Sequence, residues 1–115
     1  MNFKELNHTY YDFVHITDRI FLDAAKIGEE LKKKKEAYET QARMIKYLQK
    51  GELMPKTDEL KKAHKVLVKE HQALGEEIAL WEETLKQKKA AYSAQRKIIH
   101  EVGNLLQKEQ LKELS

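Results

Sequence analysis

The chain has 115 residues, of which 41% are apolar and 36% are charged, and its 22 basic and 19 acidic residues leave a net charge of +3. This length suits one domain, 1–115, and so much charge is incompatible with a thick enclosed core. The lack of cysteine excludes disulfides, thiolate metal sites and cysteine nucleophiles. Because no apolar run approaches the roughly 18 residues of a membrane span and no secretory signal pattern is present, we expect a cytoplasmic protein with no membrane span.

The first predicted element is a helix over about residues 3–50. Asn2 followed three residues later by Glu5 is typical of a capping pair at a helix start. Gly51 suits the position just past a helix end, where a left-handed backbone conformation is often needed. The sequence therefore predicts one long, uninterrupted first helix.

A short turn over about 51–56 follows and contains the chain's only proline, Pro55. Thr57, with acidic residues directly after it, resembles an N-cap and predicts a second helix over about 57–112. The last residues, 112–115, carry no helix stop signal, which is expected of a chain cut from a longer protein.

Both predicted helices carry a seven-residue repeat of mainly apolar residues that never slips. The first series is Phe3, Leu6, Tyr10, Phe13, Thr17, Ile20, Ala24, Ile27, Leu31, Lys34, Tyr38, Gln41, Ile45 and Leu48. The second is Leu60, His64, Leu67, His71, Leu74, Ile78, Trp81, Leu85, Lys88, Tyr92, Gln95, Ile99, Val102 and Leu106. A strict heptad repeat favours a coiled coil over a globular bundle with ordinary helical periodicity, which would drift about 20° per heptad from the seam.

The short connection predicts that the two helices pack antiparallel as a coiled-coil hairpin, which makes the fold class all-α. If the turn is centred near Met54, Gln41 should face Leu67 and Thr17 should face Tyr92. The run of lysines at 32–35 should then lie opposite Glu76 and Glu77 of the second helix.

Large apolar residues also flank the seam, and we expect them only near the two chain ends. A two-helix coiled coil cannot bury a stripe wider than its seam, so this part is predicted to contact a protein partner. The leading expectation is a homodimer in which two hairpins form a four-helix bundle. The predicted interface residues are Val14, Ile16, Phe21, Ile98 and Leu105.

The sequence offers little for catalysis or for cofactor binding. His64 and His71 are seven residues apart, which places them about 10.5 Å apart on a helix, too far to chelate one ion. The sequence contains no phosphate-binding glycine loop and no serine nucleophile motif. We therefore expect no enzyme activity, no cofactor, no metal and no small-molecule substrate, although a helical metal or cofactor enzyme is a third, poorly supported alternative.

The function expected from these features is a non-enzymatic coiled-coil interaction module that scaffolds or bridges protein partners and self-associates. The alternative is a helical accessory region of a DNA- or RNA-handling protein that contacts phosphates through lysines. The candidate nucleic-acid contacts are Lys89 and Arg96, which share a helix face, together with Lys97.

Overall fold

The computed structural model describes residues 2–49 and 57–114. It contains two helices, α1 (Phe3–Gln49) and α2 (Asp58–Leu114), and no strand in the described residues. The helices form an antiparallel hairpin, which confirms the predicted fold class. Within the described ranges, neither helix has a stretch long and apolar enough to cross a bilayer.

Both predicted helix starts are capped by a side chain. The Glu5 backbone N–H donates to Asn2 Oδ1 at 2.9 Å, and the Leu60 N–H donates to Thr57 Oγ1 at 3.2 Å. Each bond satisfies a donor that the first turn of a helix would otherwise leave unpaired. The helix ends lie within two residues of those predicted, while Gly51 and the turn at 51–56 lie outside the described residues.

The heptad series marks the buried seam almost residue by residue. Of its members, only Tyr38 on α1 and Leu60 on α2 are exposed, and all the others are buried or half-buried. Most residues outside the series are exposed, as the charge content requires. The seam is therefore the core that the sequence predicted.

The residues form two compact units, each built from a part of both helices. The terminal unit comprises Met1–Lys26 and Leu85–Ser115, and the central unit comprises Ile27–Thr84.

In the terminal unit, the core centres on a polar side chain. Thr17 is fully buried, and Ile99 and Leu106 are buried apolar residues. The Thr17 hydroxyl lies 2.8 Å from the Phe13 carbonyl oxygen and 2.9 Å from Gln95 Oε1. Because a hydroxyl has one proton, both contacts are hydrogen bonds only if the Gln95 amide presents its NH₂ group to Thr17.

In the central unit, Leu31 and Ile78 are buried. Beside them, the rings of Tyr38 and His71 stack with centroids 3.9 Å apart, and His71 Nδ1 lies 3.1 Å from Gln41 Oε1. Two polar seam residues thus satisfy each other across the helices, as a buried polar pair must.

The predicted pairing of residues across the seam is wrong by about one helical turn. Gln41 bonds to His71 rather than facing Leu67, and Thr17 bonds to Gln95, beyond the predicted Tyr92. In both units the partner lies three or four residues further along α2. These two hydrogen bonds across the seam, and not the midpoint of the turn, therefore indicate which residues face each other.

Candidate functional site

The surface of the terminal unit is described most simply by heptad position, with seam residues at a and d. Successive residues of a helix are about 100° apart, so positions b and e lie on one side of the seam and positions c and g on the other. The contact of Tyr10, at position a, with Gly103, at position e, shows that the e positions of α2 lie beside α1. We call the c and g surface of this unit the apolar side, and its b and e surface the basic side.

The apolar side gathers three of the predicted interface residues. Ile16 of α1 and Ile98 and Leu105 of α2 all occupy g positions, and they are 55%, 48% and 53% exposed. Ala91 and Ala94 continue the same surface on α2. This surface carries four acidic and four basic residues, so it has no net charge to oppose an apolar contact.

The other two predicted interface residues lie on the basic side. Val14 and Phe21 occupy e positions, and Phe21 is about 140° around α1 from Ile16. Val14 is half-buried, whereas Phe21 is exposed and packs against Tyr92 with ring centroids 5.3 Å apart. The five predicted interface residues therefore lie on two opposite flanks of the seam and do not form one continuous surface. Their heptad positions, e against g, could have separated them in the sequence.

The expectation that large apolar groups flank the seam only near the chain ends is wrong, because Met44, at a g position, and Val68, at an e position, are exposed in the central unit. The central unit also exposes large apolar side chains outside the predicted seam: Met44, Tyr47, Val66, Val68 and Leu80. The other three occupy c positions, which are not direct neighbours of the seam, and the expectation did not cover those positions. The apolar character of the residues at these c positions can be read from the sequence and could have identified them.

Two of the three candidate nucleic-acid contacts share the basic side. Lys89 and Arg96 both occupy e positions, and both are exposed. Lys97 occupies position f, which points away from the seam and lies at the outer edge of this side. The geometry therefore groups Lys89 with Arg96 and separates Lys97 from them.

A shallow cavity opens on the basic side where α2 has a glycine. Its volume is about 240 Å³, and its lining includes Tyr10, Arg96, His100 and Asn104. A Cβ built on Gly103 would lie 3.5 Å from the Tyr10 hydroxyl, so the missing side chain leaves the tyrosine hydroxyl uncovered toward the cavity. The cavity is therefore rich in hydrogen-bond donors and open to solvent.

Two of the four lysines at 32–35 form ion pairs with acidic residues of α2. Lys34 Nζ lies 2.8 Å from Glu77 Oε1 and 5.0 Å from the centre of the Trp81 ring, and Lys35 pairs with Glu82 at 3.0 Å. The predicted pairing of this run with Glu76 and Glu77 is thus confirmed for Lys34, whereas Lys35 pairs with a residue further along α2.

The described residues contain no group of three or more His, Asp or Glu side chains that could hold a metal ion. His64 and His71 both occupy the seam, as the sequence predicted. The Nε2 atom of His64 is buried and finds no hydrogen-bond partner among the described residues. The surfaces of the terminal unit, rather than a pocket of titratable groups, are therefore the candidate sites.

Comparison of the chain with protein-family models, with curated proteins and with solved structures finds no match. The candidate sites are therefore argued from the geometry and chemistry of this chain alone.

Proposed function

We propose that this chain is a non-enzymatic, cytoplasmic interaction module that self-associates through the apolar side of its terminal unit and so brings its protein partners together. The observation that supports the proposal most directly is the half exposure of Ile16, Ile98 and Leu105 on one side of the seam. Burying an aliphatic side chain of this size from full exposure contributes about 1.5–3 kcal/mol, and about half of that remains to be gained at each of these half-exposed residues. Three of them on one side give association a substantial driving force.

The pattern of sizes along α2 favours a second copy as the occupant. In a two-fold interface, the contact of residue i with residue j is repeated as that of j with i. If α2 packs antiparallel on its copy with the axis at Ile98, then Leu105 of each copy lies on Ala91 of the other. Large residues then meet small ones, as close packing requires.

Such a dimer would place the helices of two terminal units together as a four-helix bundle. It would cover the flank that the two-helix seam leaves open. Other protein partners would then be held at the remaining surfaces of the paired hairpins.

Sedimentation equilibrium of the full chain and of two matched variants tests the proposal. Leu105→Glu puts a charge in the interface, whereas Leu111→Glu puts the same charge at an exposed f position of the same helix. The wild type and Leu111→Glu should be dimers, and Leu105→Glu should be a monomer with an unchanged helical circular dichroism spectrum.

Cysteine crosslinking tests the position of the two-fold axis, since the chain has no cysteine of its own. Ile98→Cys should form an intermolecular disulfide readily under mild oxidation, and Leu111→Cys should not. A wild type that stays monomeric at high concentration while fully helical would rule out the homodimer. Equal crosslinking by both variants would rule out the axis at Ile98.

A further inference from the structure

We infer that the basic side of the terminal unit binds single-stranded nucleic acid, with its cations on the phosphates and Phe21 stacked on a base. This inference goes beyond the proposed self-association, because it assigns a different side of the terminal unit to a different class of partner. It rests on charge placement, exposed aromatic rings and a donor-lined cavity.

The net positive charge of the chain belongs entirely to the terminal unit. Its 7 acidic residues stand against 10 basic ones, whereas the central unit has 12 of each. Within the terminal unit, the apolar side is balanced, and the b and e positions carry four lysines and arginines against a single carboxylate, that of Asp18. The four cations are Lys4, Lys86, Lys89 and Arg96.

Two aromatic rings accompany these cations. Phe21 is 53% exposed and packs against the ring of Tyr92. Tyr11, at a b position of α1, is 57% exposed. Tyr92 lies between Lys89 and Arg96 in the sequence of α2, about one helical turn from each. Phe21 therefore presents a ring between two cations, an arrangement that the linear sequence conceals because α1 supplies the ring and α2 the charges.

The cavity at Gly103 extends this surface beyond Arg96. Its lining offers the Tyr10 hydroxyl, the Asn104 amide and the His100 ring beside the guanidinium of Arg96. A guanidinium is well suited to phosphate recognition because its donors form a planar fork, and the neutral groups can bond a sugar or a base edge.

This combination favours single strands over other polyanions. Single-stranded nucleic acid is bound by a basic surface that follows the backbone and by aromatic rings on which bases stack. A duplex hides the base faces that Phe21 would need, and an acidic peptide or an anionic lipid headgroup offers the charge but no flat ring.

Fluorescence anisotropy with a labelled 20-nucleotide oligothymidylate, at two or more salt concentrations, measures the binding. The paired variant Lys89→Gln, Arg96→Gln should weaken it at least tenfold and lower the slope of log affinity against log salt by about 1.4, since each single-strand phosphate contact contributes roughly 0.7. The control Lys62→Gln, Lys69→Gln removes the same charge, at the same seven-residue spacing, from exposed f positions of α2 in the central unit and should change affinity less than threefold.

The aromatic contribution is tested separately with Phe21→Leu, which keeps an apolar residue against Tyr92 but removes the ring. It should weaken binding about tenfold without changing the salt slope, because stacking does not release counterions. Circular dichroism checks that each variant remains helical.

The affinities for three other polyanions, measured by competition, distinguish the class of partner: a duplex of the same length, polyglutamate, and phosphatidylglycerol vesicles. The inference is supported if the single strand binds at least tenfold more tightly than each of them. It is overturned if no binding occurs at low salt, if a competitor binds as tightly, or if Phe21→Leu binds like the wild type.

Discussion

Substitution of the three described helical glycines by alanine gives a prediction with internal controls. Alanine is more favourable than glycine inside a helix by about 0.8–1 kcal/mol. The three sites differ in what a new Cβ would meet. At Gly28 it meets nothing within 4 Å, at Gly103 it lies 3.5 Å from the Tyr10 hydroxyl, and at Gly75 it lies 3.1 Å from Cε2 of Tyr38.

The expected changes in the free energy of unfolding follow from these distances. Gly28→Ala and Gly103→Ala should each stabilise the protein by about 1 kcal/mol, because 3.5 Å is an ordinary contact. At Gly75 the new methyl group must displace the Tyr38 ring, which is stacked on His71. Crowding of this kind costs about 1–3 kcal/mol, so Gly75→Ala should be neutral or destabilising by up to about 2 kcal/mol.

Thermal unfolding followed by circular dichroism at one fixed protein concentration measures these effects. For a chain of this length, 1 kcal/mol corresponds to a shift in Tm of about 4 °C. In a Tyr38→Ala variant the crowding is absent, and only the higher helix propensity of alanine remains. Gly75→Ala should therefore stabilise that variant by about 1 kcal/mol. The reasoning fails if Gly75→Ala raises the Tm of the wild type as much as Gly28→Ala does.

Two further predictions concern polar groups of the seam. Lys34→Ala should lower the free energy of unfolding by about 1 kcal/mol, because it removes both the ion pair and the contact with an aromatic ring. In the same urea titration, Lys33→Ala should change it by less than about 0.5 kcal/mol; equal effects would contradict the seam position of Lys34. Thr17→Val should cost about 1 kcal/mol, whereas adding Gln95→Leu should restore most of the loss, since removing both hydrogen-bond partners leaves no polar group unpaired. A double variant less stable than Thr17→Val alone would contradict that account.

The sequence predicts the helices and the seam well because both depend on local patterns. The heptad repeat places every seam residue on one face of its helix whatever the partner is. The caps at Asn2 and Thr57 depend on side chains within three residues of the donors they satisfy. These features need no knowledge of which residue faces which.

The register and the surfaces depend instead on contacts between residues that are 30 or more positions apart. Shifting one helix by a single seam position still pairs apolar with apolar, so hydropathy alone barely distinguishes the alternatives. The specific matches distinguish them: Tyr38 needs the missing side chain of Gly75 and the ring of His71, and Gln41 needs the His71 nitrogen. The grouping of Phe21 with Ile16 is a different kind of error, because their separation of about 140° around α1 follows from their spacing along a single helix.

The division of the terminal unit into two sides also bears on how the two proposals combine. Association through the apolar side would leave Lys89, Arg96 and Phe21 uncovered in each copy. A dimer would then present two basic sides, and a strand long enough to reach both would bind the second one as an intramolecular step. Loss of dimerisation in Leu105→Glu should therefore weaken binding of a long single strand but leave the affinity for a short oligonucleotide unchanged. Equal weakening for both lengths would mean that the interface supports the basic side itself, and the two sides would not be independent.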